Sequence, residues 1–182
     1  MAAGHDANEA AIVADHLIDC ELRGLDYGGL SRALSIFERM TKAGYSRGRI
    51  EITHETALSA LIDGRNNIGY LVGRRAAEIC IDKASAQGMA VVGARDTWHT
   101  GMLSYYAEMA ARAGLVSMIA SNASPNVAPF GGTEGRFGTN PIAGQTSMDA
   151  LWKQGRAIVR KFERPHAATS IFLPTLSRRR NR

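Results

Sequence analysis

Apolar residues recur at helical spacing from about residue 8 to residue 22, where Ile12, Val13, His16, Leu17 and Cys20 share a stripe that Gly24 ends. A second helix is predicted from about Leu30 to Ala43, with Leu34, Phe37 and Met40 on one face and Gly44 as its stop. Ile50–Ile52 and Thr56–Ile62 suit short strands, the second closed by the turn pair Asp63-Gly64. Gly69–Gln87 reads as a long helix ended by Gly88. Met89–Ala94 follows as a short apolar run bounded by turns, hence a buried strand. A helix over about Met102–Ala113 stops at Gly114, and Leu115–Ala120 is again a buried strand. Helices and strands alternating through short joints predict an α/β fold, with Met89–Ala94 and Leu115–Ala120 as neighbours.

The pattern then changes twice. Asn122–Pro141 is a loop of about 20 residues rich in Gly, Pro and Asn. Its position after a buried strand points to function, because ligand sites gather at strand ends, with a structural excursion as the alternative. From Gly144 onward neither periodicity continues. This reading divides the chain into a patterned unit, residues 1–143, and a basic tail, residues 144–182, expected to be non-native or disordered.

Charge sharpens that division. The formal net charge is +5, yet residues 1–152 hold 13 Lys/Arg against 16 Asp/Glu, and residues 153–182 hold 9 against one. Basicity belongs to the tail, so a nucleic-acid-binding face on the folded unit is not expected. A basic-tailed module using Arg178–Arg180 on a nucleic acid or another anionic surface is the competing reading. No stretch approaches the ~20 apolar residues that span a bilayer, and Met1–Glu9 lacks the apolar centre of a signal peptide, so a cytoplasmic location is expected. Cys20 and Cys80 fall in predicted helices and read as two buried thiols, neither a disulfide framework nor a zinc site.

Among residues that could do chemistry, His99 stands out. It lies in Asp96-Thr97-Trp98-His99-Thr100-Gly101, between a predicted strand and a predicted helix. A histidine at such a joint can exchange a proton near neutral pH, though it can equally cap the helix or sit exposed. His16 reads as a boundary residue, His54 as part of an edge strand, and His5 and His166 as members of loose segments. Arg32 follows Gly28-Gly29 at a helix start, where its planar fork could clamp a carboxylate or remain a solvated charge. No G-x-G-x-x-G opens a helix after a strand, and neither a P-loop nor a G-x-S-x-G elbow is present.

Five blocks in order resemble one family. They are Val13-Ala14-Asp15-His16-Leu17 with Leu22-Arg23-Gly24; Asp26 to Arg32; Asp63-Gly64 with Gly69-Tyr70; Trp98-His99-Thr100-Gly101 with Tyr105-Tyr106-Ala107; and Ser121–Ser124 through Phe137-Gly138-Thr139-Asn140-Pro141. Their order and spacing over residues 11–143 are similar to the malate/L-lactate dehydrogenase-like enzymes, which include ureidoglycolate, sulfolactate and diketogulonate reductases. The resemblance implies a non-Rossmann α/β fold, truncated here. It implies interconversion of small 2-oxo and 2-hydroxy acids with NAD or NADP, and a homodimer. It places Arg32, Asn122, Thr139 and Asn140 on the substrate, with His99 in or near the pocket. Asp26 to Arg32 stands where the family has D-S-H-G-V-x-R, so Tyr27 takes the serine place and Gly28 the place of the acid/base histidine. Family members run to roughly twice this length, their cofactor segments lying mainly beyond the matched part. The chain therefore reads as a truncated or frame-shifted product, inactive as it stands.

Overall fold

The structure, a computed structural model, describes residues 4–146. The element order is α1 (Ala7–Leu22), α2 (Arg32–Thr41), β1 (Glu51–Glu55), β2 (Ser59–Ile68), α3 (Gly69–Gln87), β3 (Val91–Trp98), α4 (Leu103–Arg112), β4 (Val116–Ala120) and β5 (Ile142–Thr146). This is the α/β class expected from the alternating pattern. The expectations for the tail beyond Thr146, including His166 and the Arg178–Arg180 run, fall outside the described residues.

α1 begins at a capping box. Glu9 N–H donates to Asp6 Oδ1 at 2.8 Å, and Asp6 N–H donates back to Glu9 Oε2 at 3.3 Å. Its buried stripe is Val13, His16, Leu17 and Cys20, at the spacing of one helix face. α3 ends as the sequence indicates, with Gly88 in the left-handed region at φ 89°.

β2 departs from expectation. Asp63-Gly64 does not end it; the strand runs on to Ile68. Its parallel register with β3 slips between Asp63↔Arg95 and Asn67↔Thr97, and within that bulge Arg65 and Asn66 take φ 48° and 58°. Gly64 is required there, because a Cβ would lie 2.7 Å from the Asp96 carbonyl oxygen. The buried Asn67 side chain holds the bulge closed, donating to the Gly48 and Gly64 carbonyls at 2.7 Å each. The tight turn lies instead at Thr56–Ser59, between antiparallel β1 and β2.

Met89–Ala94 and Leu115–Ala120 both fall largely in strands, but the strands are not neighbours. β3 pairs with β2 in a three-stranded sheet ordered β1-β2-β3, whereas β4 pairs antiparallel with β5 in a second sheet. Nor is either buried on both faces. Val91 is exposed on β3, and Val116, Met118 and Ile142 project from one face of the second sheet. A short apolar run shows that a strand exists but not how many of its faces this chain covers. The boundary set at residue 143 falls inside β5, since Gly144–Thr146 pair with Val116–Met118. The second sheet packs on α4, into which Ser117 Oγ donates at the Ala107 carbonyl, 3.1 Å away.

The apolar stripe of α2 faces the core only in part. Ile36 is its buried residue and Met40 packs partly against the core, while Leu34 and Phe37 are 71% and 50% exposed. The turn before the helix sets this rotation: Ser31 Oγ donates to the Asp26 carbonyl at 2.6 Å, and Arg32 Nη2 to the Tyr27 carbonyl at 2.9 Å. One core cluster joins Val13, Leu17, Ile36, Ile68, Tyr70, Leu71 and Trp98. A second lies under the sheet, formed by Ala60, Ile62, Val72 and Ile79.

Two further residues sit deeper than the sequence suggests. His5 is buried, its Nδ1 3.0 Å from Glu9 Oε2, because Arg47 draws Glu9 inward with two hydrogen bonds. His16, expected at a boundary, is 1% exposed and lies within a tyrosine cage. It stacks on Tyr70 at 4.5 Å and meets Tyr105 and Tyr106 at tilted angles, while Met102 N–H donates to its Nε2 at 2.9 Å. Cys20 is buried beside this cage; Cys80 is only half-buried, so the expectation of two buried thiols holds for one.

Burial pushes the His16 imidazole down to about 4, against the smaller opposing pull of Asp19 and then Asp15. The folded state thus resists a proton that the unfolded chain accepts near 6.5. Stability is full above that pH and falls as pH drops, the loss being complete near 4. A displacement of this size corresponds to about 3 kcal/mol. Urea unfolding between pH 7 and pH 4 should show this slope, and His16→Gln should flatten it in that window even though the variant starts less stable. An equal slope in both proteins would remove His16 as the cause.

Candidate functional site

β2 and β3 run parallel, and their carboxyl ends lie side by side with Ile68 opposite Trp98. This is where α/β folds usually place ligand sites. β2 passes straight into α3, while β3 leaves through His99, Thr100 and Gly101. His99 takes φ 50°, which costs a non-glycine residue on the order of 1–2 kcal/mol. Its backbone is pressed onto the start of α3: a Cβ on Gly69 would lie 2.7 Å from Thr100 Cα and 2.9 Å from the His99 carbonyl oxygen.

Trp98 anchors this corner. It is buried, and its Nε1 donates to the Asn66 carbonyl at 2.9 Å, which Tyr45 OH also reaches at 3.0 Å. The His99 ring meets the indole edge-on, with centroids 5.4 Å apart. The Arg39 guanidinium lies over the indole, 4.4 Å from the ring centroid. Partial desolvation, then the positive charges of Arg32 and Arg39, hold the His99 imidazole below its ordinary range. His99 is therefore neutral at pH 7, a state that suits accepting a hydroxyl proton better than donating one.

Arg32 opens α2 and is half-buried, and its side chain donates to the Tyr27 carbonyl. Neither Arg32 nor Arg39 has a carboxylate partner among the described residues. Gly28 lies in the preceding turn, its N–H donating to the Leu25 carbonyl at 2.8 Å. A Cβ at that position would meet only Leu25 O at 3.5 Å and Cys20 Sγ at 3.9 Å, ordinary contacts that leave room for a side chain.

The other sequence-predicted residues form a second group. Asn122, Thr139 and Asn140 lie exposed at the base of the Ser121–Pro141 loop, which joins β4 to β5. Asn140, at φ 42°, accepts Ala123 N–H on Oδ1 at 3.1 Å; Ser121 N–H donates to Pro141 O at 3.1 Å, and Val127 bridges Phe137. Arg32 and His99 are thus brought together. Among the described residues no hydrogen bond, ion pair or ring contact joins Asn122, Thr139 or Asn140 to them.

Sequence reasoning missed Arg39 and the platform role of Trp98. The signal was available: Arg39 lies seven residues after Arg32, on the same face of a 3.6-residue helix, and Trp98 directly precedes His99.

The structure also bears on cofactor binding. A nucleotide pyrophosphate commonly sits on the backbone amides of a helix that opens directly after a strand. Here α3 opens in that way, but Gly69 is buried beneath Thr100 and His99. The described residues therefore do not fit a nicotinamide dinucleotide at that helix start.

Comparison with known proteins adds a finding of its own. The family model described as malate/L-lactate dehydrogenase matches residues 1–148. A malate dehydrogenase of Pyrococcus abyssi is 39% identical over 141 residues, 77% of this chain and 39% of that protein. An L-sulfolactate dehydrogenase of Methanocaldococcus jannaschii is 35% identical over 141 residues, 77% of this chain and 41% of the relative. The solved malate dehydrogenase of Pyrococcus horikoshii superposes with a TM-score of 0.74 at 37% identity, covering 79% of this chain and 42% of its own. The chain spans about two-fifths of the length of these relatives.

Proposed function

Because the chain belongs to the malate/L-lactate dehydrogenase family, we propose that its described residues supply acid binding and proton exchange for an NAD- or NADP-dependent oxidoreductase interconverting 2-hydroxy and 2-oxo acids. The observation that carries this is a guanidinium without a carboxylate partner, Arg32, acting on a neutral imidazole, His99, at the carboxyl end of a parallel strand pair. Arg32 would hold the substrate carboxylate through its fork, and His99 would take the proton of the 2-hydroxyl during oxidation. A nicotinamide cofactor would supply or accept the hydride; the residues described here are not assigned to it. Asn122, Thr139 and Asn140 remain proposed substrate contacts, supported by the family motif they occupy.

Two coarser readings accompany this one. A homodimer is supported by the exposed apolar row Tyr27, Leu30, Leu34 and Phe37 along α2 and its entry turn. A cytoplasmic location accords with the finding that no helix among the described residues is long and apolar enough to cross a membrane.

The test follows from charge. A bound carboxylate offsets Arg32, so the His99 pKa should start below 6.5 and rise when lactate or malate is added. Arg32→Gln should raise it without any acid and weaken acid binding about tenfold or more. Following the His99 ring resonances by NMR across pH reads both effects. A His99 titration indifferent to Arg32 and to either acid would defeat the assignment.

A further inference from the structure

We propose that Arg39 is a specificity-determining residue that receives the second acidic group of a dianionic 2-hydroxy or 2-oxo acid whose first carboxylate lies on Arg32. This rests on the acid-binding reading of Arg32 and His99. α2 presents Arg32 and Arg39 two turns apart on one face, about 10.5 Å along the axis, with the buried Ile36 between them. Arg39 is placed beside His99 through Trp98, whose ring lies 4.4 Å from the guanidinium and 5.4 Å from the imidazole, and Arg32 shares its helix face, both charges lowering the proton affinity of that imidazole. A monocarboxylic 2-oxo acid brings one carboxylate and leaves the second guanidinium without an anion. A diacid matches both.

Arg39 is also preorganised. Its guanidinium rests on the face of a buried indole that Asn66 and Tyr45 hold in place. Stacking on an aromatic face leaves the N–H donors at the edge of the fork free, and no hydrogen bond or ion pair uses them among the described residues. Less conformational freedom is then lost when an anion arrives.

The concavity that Arg39 lines at the end of α2 is a poorer seat. It is an open cleft of about 380 Å³ lined by Arg39, Lys42, Ala43, Gly44 and Tyr45. α2 ends there at Thr41, so its last carbonyls turn their negative ends toward the cleft and offset the attraction of Lys42 for an anion. The second acidic group therefore sits on the His99 side of Arg39.

Lactate and malate provide the probe, since they share the 2-hydroxy acid and differ by one carboxylate. Binding to the full 182-residue chain is measured by calorimetry at matched ionic strength. Malate should bind about tenfold more tightly than lactate, the effect of one charge-assisted hydrogen bond. Arg39→Met keeps length and apolar contact with the indole; it should bring the two affinities to within about twofold, the loss falling mainly on malate, and Arg39→Lys should retain part of the preference. Arg32→Gln should weaken both acids together. Equal binding of the two acids by the unaltered chain, an unchanged ratio in Arg39→Met, or parallel loss of both acids in that variant would overturn the assignment of Arg39 alone. Binding of neither acid by the unaltered chain would overturn the acid-binding reading as well.

Discussion

Mixed with NADH and pyruvate or oxaloacetate, the chain is expected to show no measurable turnover, and Gly28→His is expected not to restore it. Two features motivate this. Gly28 stands where the family motif carries its acid/base histidine, which leaves proton exchange to His99 alone, and general acid–base catalysis contributes typically ~10²–10⁴-fold. The described residues also assemble no seat for a dinucleotide at the start of α3. Holding hydride and carbonyl in reacting geometry is worth ~7–11 kcal/mol in favourable cases, or roughly 10⁵–10⁸ in rate. The second effect outweighs the first, so supplying the imidazole alone gains nothing visible. The variant tests this fairly, because a Cβ at position 28 meets only ordinary contacts. NADH absorbance at 340 nm is the measurement. Robust consumption by the unaltered chain would refute both the weight given to positioning and the assignment of Gly28.

Gly101→Ala should destabilise the fold by about 3–5 kcal/mol. Gly101 has φ 74°, in the left-handed region, and the added methyl would collide with the Tyr70 ring and lie 2.5 Å from His16 Nε2. Backbone strain and overpacking each cost about 1–3 kcal/mol. Neither neighbour can withdraw, since His16 and Tyr70 are stacked on each other inside the core. Gly114→Ala is the control, with φ 77° but nothing within 4 Å of the new methyl, and should cost only about 1 kcal/mol. Comparing their urea midpoints separates close approach from backbone conformation, and equal losses would dismiss the close-approach argument.

The helices were legible because periodicity and glycine stops coincide. α1, α3 and α4 lie within a residue or two of expectation, each closed near Gly24, Gly88 or Gly114. Which way a helix faces was less legible. The row Leu34–Phe37 is the more conspicuous stripe on α2, yet Ile36 is the residue that the turn bonds of Ser31 and Arg32 direct inward. Asp63-Gly64 looked like a strand end because that pair usually marks a turn, whereas here the same conformational freedom serves a bulge whose closure depends on Asn67, three residues on. At the site, Arg32 and His99 were readable from residue type and position. For Arg39 the sequence offers only its seven-residue spacing from Arg32; a lone arginine on a polar helix is normally solvated, and the tertiary placement of Trp98 beneath it is what gives the spacing meaning.

Among the described residues, β3 hydrogen-bonds to β2 on one side alone, and the second sheet has two strands. Val91 on β3, and Val116, Met118 and Ile142 on one face of the second sheet, are exposed apolar side chains among the described residues. An open strand edge bordered by apolar side chains is a template for any other extended chain. Intermolecular strand addition at the β3 edge is therefore expected to compete with unfolding in setting how far the chain can be concentrated. Losses on concentration should scale with protein concentration while the far-UV signature of the soluble fraction stays constant. Arg95 and Asp96, near the carboxyl end of β3, are the charges that oppose such stacking on that edge.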